Sequence, residues 1–209
     1  MKKGIIAVYK PKGISSYDVI RKLKQTFPGE KIGHGGTLDP LAEGVLVVGI
    51  GQDATRQLGE VLKGTQKEYE VIIKLGEISE TDDSEGPIHT GSDIKPSLSR
   101  VTDVLQQFMG EILQTPPQYS AVKVHGKPAY LRMRRGEKVV LEPRRVEILT
   151  IDVQSYQYPF LTLRIVCGSG VYIRSLARDI GSALKTGAYV YELKRTRVGD
   201  FTEEGSSII

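Results

Sequence analysis

Residues 45–50, VLVVGI, are apolar without interruption, and the stretch before them, KIGHGGTLDPLAEG, is dense in glycine and contains one Asp-Pro pair. An apolar run of that length next to turn-forming residues reads as a buried strand. Such a strand needs elements to cover it. With 209 residues the chain has enough for one large domain or two small ones, with a substantial core.

Other segments supply the cover. Ile5 to Tyr9 reads as a strand, broken by Lys10-Pro11-Lys12-Gly13. Ser15 or Ser16 can cap a helix whose Val19, Ile20, Leu23 and Phe27 fall at helical spacing. The glycine-rich stretch before Val45 reads as loop, and a helix is predicted around Thr55 to Leu62. In Glu68 to Leu75, Tyr69, Val71, Ile73 and Leu75 share one face, the alternation of a half-buried strand. The acidic segment EISETDDSEGPIHTGSD reads as a loop with a short hairpin. Val101 to Met109 looks helical, Val146 to Val153 and Leu161 to Val166 look like strands, a helix follows CGSG, and Gly187 to Thr196 offers a final strand. Helices and strands mix without a regular βαβ rhythm, which favours an α+β fold on a mostly antiparallel or mixed sheet.

Charge is unevenly spread. From Tyr119 to Arg145 there are eight Lys or Arg against two acids, whereas Gly76 to Ile94 holds six acids and no base. A polyanionic partner on the basic side is one reading, and a solvated charged surface is the other. No apolar run reaches the roughly 18 residues of a membrane helix, and Ile5 to Val8 is too short for an export signal. The single cysteine, Cys167, excludes an internal disulfide framework and suits a reducing cytoplasm.

Several chemistries lack their motifs. There is no phosphate-cradling G-x-x-x-x-G-K-[ST] and no G-x-S-x-G nucleophile elbow. His34, His89 and His125 are scattered without metal-ligand spacing. Asp39 is left as the best candidate for central chemistry. Glycines at 33, 35 and 36 allow close approach of a ligand to the backbone, and Pro40 holds Asp39 extended. An ordinary Asp-Pro turn has the same composition, so spacing alone does not decide.

The stretch HGGTLDPLAEGVL resembles the central motif of the TruB family of pseudouridine synthases, and four further blocks resemble that family in the same order: YKPKGISSYDVI, KEYEVIIKLG, PPQYSAVKVHGKPAY and CGSGVYIRSLARDIG. The resemblance covers residues 9 to about 195. It implies the pseudouridine synthase fold, an α+β fold with a mixed, mainly antiparallel sheet flanked by helices and a central RNA-binding cleft. It further implies one catalytic domain over residues 1–209, with a thumb-like basic insertion at about 116–145. Position 171 is valine where the family usually has threonine, a change expected to be tolerated. The family's small C-terminal PUA domain is not expected in a sequence that ends at EEGSSII.

Roles follow from the resemblance residue by residue. Asp39 matches the nucleophile, Arg174 the arginine that pairs with it, and Tyr69 the tyrosine that stacks on the target base and takes part in a later proton transfer. Tyr172 and Leu193 match residues lining the base pocket, and Lys10 and Pro11 a pair supporting the active-site loop. His34 matches the histidine that stacks where the flipped nucleotide was, and Asp83 an acidic position tied to RNA handling. Lys123, Lys127, Arg132 and Arg134 are expected to contact phosphates. The implied activity is isomerisation of uridine to pseudouridine at position 55 in the T loop of tRNA, in the cytoplasm, by a bacterial stand-alone type of enzyme. The partner implied is the T-arm stem-loop, with no membrane and no obligate protein partner, acting as a monomer. No cofactor or metal is expected, because the isomerisation is redox-neutral. Attack at ribose C1′, attack at base C6 and a glycal route are all compatible with one carboxylate. Two rivals stand beside this reading: a silent RNA-binding module, and a hydrolase drawing a second carboxylate from Asp83 or Asp179.

Overall fold

The computed structural model describes residues 3–124 and 126–208, so His125 lies outside the described residues. The elements run β1 (Gly4–Lys10), α1 (Ser16–Thr26), β2 (Ile32–Gly35), β3 (Glu43–Ile50), α2 (Gln52–Val61), β4 (Lys67–Leu75), β5 (Glu77–Ser79), β6 (Ile88–Thr90), α3 (Leu98–Gln106) and β7 (Gly110–Gln114). They continue as β8 (Lys123–Val124), β9 (Lys127–Pro128), α4 (Ala129–Met133), β10 (Arg144–Gln157), β11 (Phe160–Cys167), α5 (Ile173–Leu184), β12 (Ala188–Val198), β13 (Phe201–Thr202) and β14 (Ser207–Ile208). The chain divides into two compact units. The first comprises the residues up to Glu70, Ile165–Ser169 and the residues from Glu192; the second comprises Val71–Arg164 and Gly170–Tyr191. Strands β4, β11 and β12 each contribute residues to both.

In the first unit the apolar run is the centre of the sheet. Strand β3 pairs antiparallel with β1 from Gly4↔Ile50 to Lys10↔Gly44, antiparallel with β2 from Ile32↔Ile50 to Gly35↔Val47, and parallel with β12 at Lys194↔Glu43. Strand β14 adds to β1 in parallel, and β13 to β12 antiparallel. Val45 through Val48 are fully buried, each contributing about 1.5–3 kcal/mol of apolar burial. Helix α1 starts with a capping box, Ser15 accepting from the Asp18 N–H while the Asp18 carboxylate accepts from Ser15 N–H; it buries Val19, Ile20 and Leu23. Helix α2 sets Leu58 into a cluster with Ala7, Val45, Val47 and Val198.

Residues 32–35 differ from the sequence expectation. They form strand β2, not loop, because the glycines that hide the strand signal let α2 pack closely upon it. A Cβ on Gly35 would collide with the Leu62 side chain. Gly44, at φ +105, lies where a Cβ would collide with the Arg195 carbonyl oxygen. At Gly44 the clash is with backbone and glycine is required, whereas at Gly35 a Cβ would displace the tip of Leu62.

The second unit has β10 antiparallel to β7, from Arg144↔Gln114 to Ile148↔Gly110, and β11 beside β10. Its core gathers Val71, Ile73 and Leu75 with Val104, Leu105, Ile148, Leu161, Leu176 and Ile180, all at most 2% exposed. The acidic segment carries the short β5–β6 hairpin. The basic segment carries the β8–β9 hairpin and α4 over a small cluster of Val122, Ala129, Val139 and Leu141. Parallel and antiparallel pairs coexist in the main sheet, and helices pack on it in each unit. The fold is α+β on a mixed sheet.

Candidate active site

Asp39 sits half-buried in the turn between β2 and β3. Its own carbonyl accepts from the Ala42 N–H at 3.1 Å, closing the turn. On one side, the buried Ser16 hydroxyl donates to the Leu38 carbonyl and accepts from the Leu38 N–H, both at 2.9 Å. On the other, the Pro40 carbonyl accepts from the Gly13 N–H at 2.7 Å and from the Lys10 ammonium at 3.4 Å. Lys10 is fully buried and also donates to the carbonyls of Pro11 and Ile14, at 3.0 and 2.6 Å. The residues before and after Asp39 are therefore clamped, and the backbone that carries its carboxylate is held in place. Pro11 enters as an acceptor for Lys10. Ser16 was not singled out from the sequence; in the structure Ser15 takes the cap and leaves Ser16 free to clamp Leu38.

Beside the turn lies a group of side chains from the middle strands of the same unit. Tyr69 is 6% exposed and lies within the electrostatic reach of the Arg195 guanidinium. Arg195 is 1% exposed and donates from Nε to the Val45 carbonyl and from Nη2 to the Gly36 carbonyl, each at 2.8 Å. Burial drives the Tyr69 phenol above its ordinary range; Arg195 opposes this, and the charge of Asp39 reinforces it. Tyr69 is thus a neutral phenol at neutral pH. Leu193, on the same face of β12 two residues before Arg195, is buried. Burial raises the Cys167 thiol to about 12 despite Lys67 and Arg195, so it is no nucleophile at neutral pH.

His34 lies on β2 with its ring half-buried. Burial lowers its pKa, Arg195 lowers it further, and the ring is neutral at pH 7. Its Nδ1 is buried with no hydrogen-bond partner among the described residues. Lys67, two residues before Tyr69, is lowered by burial and then by Arg195, and donates to the Ser169 hydroxyl at 3.1 Å. Strand alternation carries the signal for both missed cations: Arg195 follows Leu193 by two, and Lys67 precedes Tyr69 by two.

In the second unit Arg174 stands in the first turn of α5, 5% exposed. It pairs with the buried Asp83 at 3.2 Å and donates to the carbonyls of Thr81 and Tyr119, both at 3.0 Å. Asp83 also accepts from the Thr81 hydroxyl and the Glu85 N–H, at 2.5 and 3.0 Å. The segment that reads as a soft loop is therefore anchored at Asp83. Arg178, one turn on, contacts Asp82 at 2.9 Å, Asp179 at 3.0 Å and the Thr115 carbonyl at 3.0 Å. The two carboxylates open to a hydrolase reading, Asp83 and Asp179, are both engaged by arginines of α5.

Tyr172 is half-buried, and its backbone N–H and carbonyl are both taken by the Gln114 amide, at 2.8 and 3.1 Å. Lys123, Lys127 and Arg134 are exposed on the basic segment, whereas Arg132 is paired with Glu137 at 2.5 Å. Helix α5 holds the root of that segment through the Thr115 and Tyr119 carbonyls.

Two family models cover most of the chain: the TruB family pseudouridylate synthase N-terminal domain at residues 24–173, and the tRNA pseudouridylate synthase B C-terminal domain at residues 174–208. The tRNA pseudouridine synthase B of Clostridium acetobutylicum is 42% identical over 97% of this chain and 70% of its own length. That of Rhodospirillum rubrum is 44% identical over 96% of this chain and 65% of its own length. A crystal structure of a Cbf5-Nop10-Gar1 complex superposes with a TM-score of 0.76 at 32% identity, covering 99% of this chain and 52% of that one. This chain thus spans about two thirds of those relatives and half of that structure's chain. It belongs to the TruB family of pseudouridylate synthases, enzymes of the isomerase class.

Proposed function

We propose that this chain isomerises uridine to pseudouridine in the T loop of tRNA, at position 55, with Asp39 as nucleophile on a flipped-out uridine. The observation that carries the reading is the clamped turn: Ser16 fixes Leu38, and Lys10 with Gly13 fixes Pro40, leaving the carboxylate between them as the aimed group. An aspartate with an ordinary pKa near 3.9 is ionised at neutral pH and is a competent covalent nucleophile. The relatives' shared name, tRNA pseudouridine synthase B, supports tRNA as substrate.

Pseudouridine formation cuts the base from ribose, turns it and rejoins it through C5. Tyr69 supplies a flat face for the base and, as a neutral phenol near Arg195, a site for proton exchange at its oxygen. Arg174 keeps the role the resemblance gives it, the cation assigned to the nucleophile; Tyr172 and Leu193 keep the base pocket. Unstacking the target costs a few kcal/mol. The neutral ring of His34 suits stacking in the vacated place. Lys123, Lys127, Arg132 and Arg134 add salt-sensitive affinity for the T arm. The whole sequence then acts as one catalytic domain, with 116–145 as its thumb-like segment. The site of action follows the substrate, tRNA, in the cytoplasm.

The test is tritium release from a T-arm stem-loop labelled at uridine C5. Joining through C5 expels that hydrogen, so release with pseudouridine as product is expected. Free uracil in place of pseudouridine would overturn the isomerase reading in favour of a hydrolase.

A further inference from the structure

The first unit contains a cleft of about 410 Å³ lined by Gly33, His34, Gly35 and Gly36 on one side and by Lys67 and Ser169 on another. No aspartate or glutamate lines it. Arg195 stands close enough to depress both His34 and Lys67. Among the described residues, no carboxylate lies within ion-pair distance of Lys67 or Arg195. Arg195 rests on two carbonyls. Lys67 has one neutral partner, the Ser169 hydroxyl, which in turn donates to the Thr65 carbonyl. An ammonium has three donors, so Lys67 keeps N–H groups for a ligand. Partly buried positive charge without a counter-charge is costly in a folded protein, and a concave wall of one sign concentrates anions.

We propose that Lys67, with the Ser169 hydroxyl, forms a subsite for one phosphodiester of the RNA backbone next to the flipped nucleotide. The assignment rests on RNA being the substrate. A phosphate matches the cleft in charge, accepts from the remaining N–H groups of Lys67 and offsets the field of Arg195, while the Ser169 hydroxyl, its one proton given to the Thr65 carbonyl, holds the ammonium in place. The neutral His34 ring at the edge of the same cleft fits a base stacked beside that phosphate. The site does more than add attraction: it fixes the backbone on one side of the target while the base turns.

The experiment is equilibrium binding of a T-arm stem-loop to the full chain and to Lys67→Gln, Lys67→Arg and Ser169→Ala variants over a range of salt. Lys67→Gln is expected to weaken binding about tenfold, as for one lost charge-assisted hydrogen bond, and to lower the slope of log Kd on log salt by about 0.7. Lys67→Arg restores most of the affinity, and Ser169→Ala costs about twofold. Stem-loops carrying a single neutral methylphosphonate, scanned through the loop, then locate the contact. At one position the substitution weakens the wild type as much as Lys67→Gln does and costs the Lys67→Gln variant nothing more. Unchanged affinity and slope in Lys67→Gln, or additive losses at every position, would overturn the subsite. Competition by millimolar inorganic phosphate with no methylphosphonate effect would assign the cleft to a free anion instead. A wild type that binds no T-arm RNA would defeat the functional reading itself, whereas tight wild-type binding indifferent to Lys67 defeats the subsite alone.

Discussion

Arg195 and Arg174, one in each unit, are both almost fully buried, yet they are satisfied by opposite means. Arg174 meets a buried carboxylate, Asp83, and its neighbour Arg178 meets Asp82 and Asp179. Arg195 meets carbonyl oxygens, with Lys67 beside it adding charge of the same sign. In the second unit, charge compensation is complete enough to act as scaffold, tying α5 to the 81–83 turn and to the root of the basic segment. In the first, Arg195 and Lys67 have no carboxylate partner among the described residues, which is the observation behind the proposed phosphate subsite. The same residue type is thus satisfied by a carboxylate and carbonyls in one place and by carbonyls in the other.

The contrast predicts a graded set of outcomes. The largest concerns the compensated pair. Asp83→Ala removes the buried carboxylate that Arg174 pairs with in this unit and is expected to lower stability by about 3–5 kcal/mol, read as a shift of the urea midpoint. A loss below 1 kcal/mol would show that the pair is not structural. Next is the turn clamp: Ser16→Ala leaves the Leu38 N–H and carbonyl without their side-chain partner, at a cost of about 1–3 kcal/mol. Conversion should slow more than RNA affinity weakens, because the clamp aims Asp39 and touches no RNA; equal losses in both would contradict it.

A smaller effect is set by pH. The folded pKa of His34 lies below its ordinary 6.5. The unfolded chain therefore takes up a proton below about pH 6.5 that the folded chain resists. His34's contribution is fully present above 6.5 and is lost as pH falls toward the folded pKa. A His34→Gln variant should show a flatter fall of Tm below pH 6.5 than the wild type, and parallel curves would refute the linkage. Smallest is Lys67→Gln. The folded pKa of Lys67 is also depressed, so at neutral pH its charge costs stability that the substitution returns. Tm is expected to stay level or rise slightly while RNA binding weakens, and a clear fall in Tm would recast Lys67 as structural.

Much of this was legible in the sequence, for uneven reasons. The apolar run and the Glu68 to Leu75 alternation gave β3 and β4, because burial leaves a period-two trace. Strand β2 left none: IGHG has two glycines in four positions, and its pairing with β3 is decided by α2 packing against it. Asp39, Tyr69 and His34 stood out through their motifs, and the structure gathers them in one unit with Lys10 and Leu193. Arg195 escaped notice because an arginine between lysine and threonine reads as solvated, and its burial depends on carbonyls 150 and 159 residues away in the chain. Asp83 stood out through the resemblance, but its pairing with Arg174 did not, since an ion pair spanning distant sequence has no local signature.

The central claim is that the clamped carboxylate of Asp39 performs the chemistry. Its most direct test is single-turnover conversion of a T-arm stem-loop by Asp39→Asn, measured together with RNA affinity. The account predicts a Kd within about threefold of wild type, since an isosteric amide removes little contact, and no detectable pseudouridine. Conversion by Asp39→Asn at a rate near that of the wild type would contradict it.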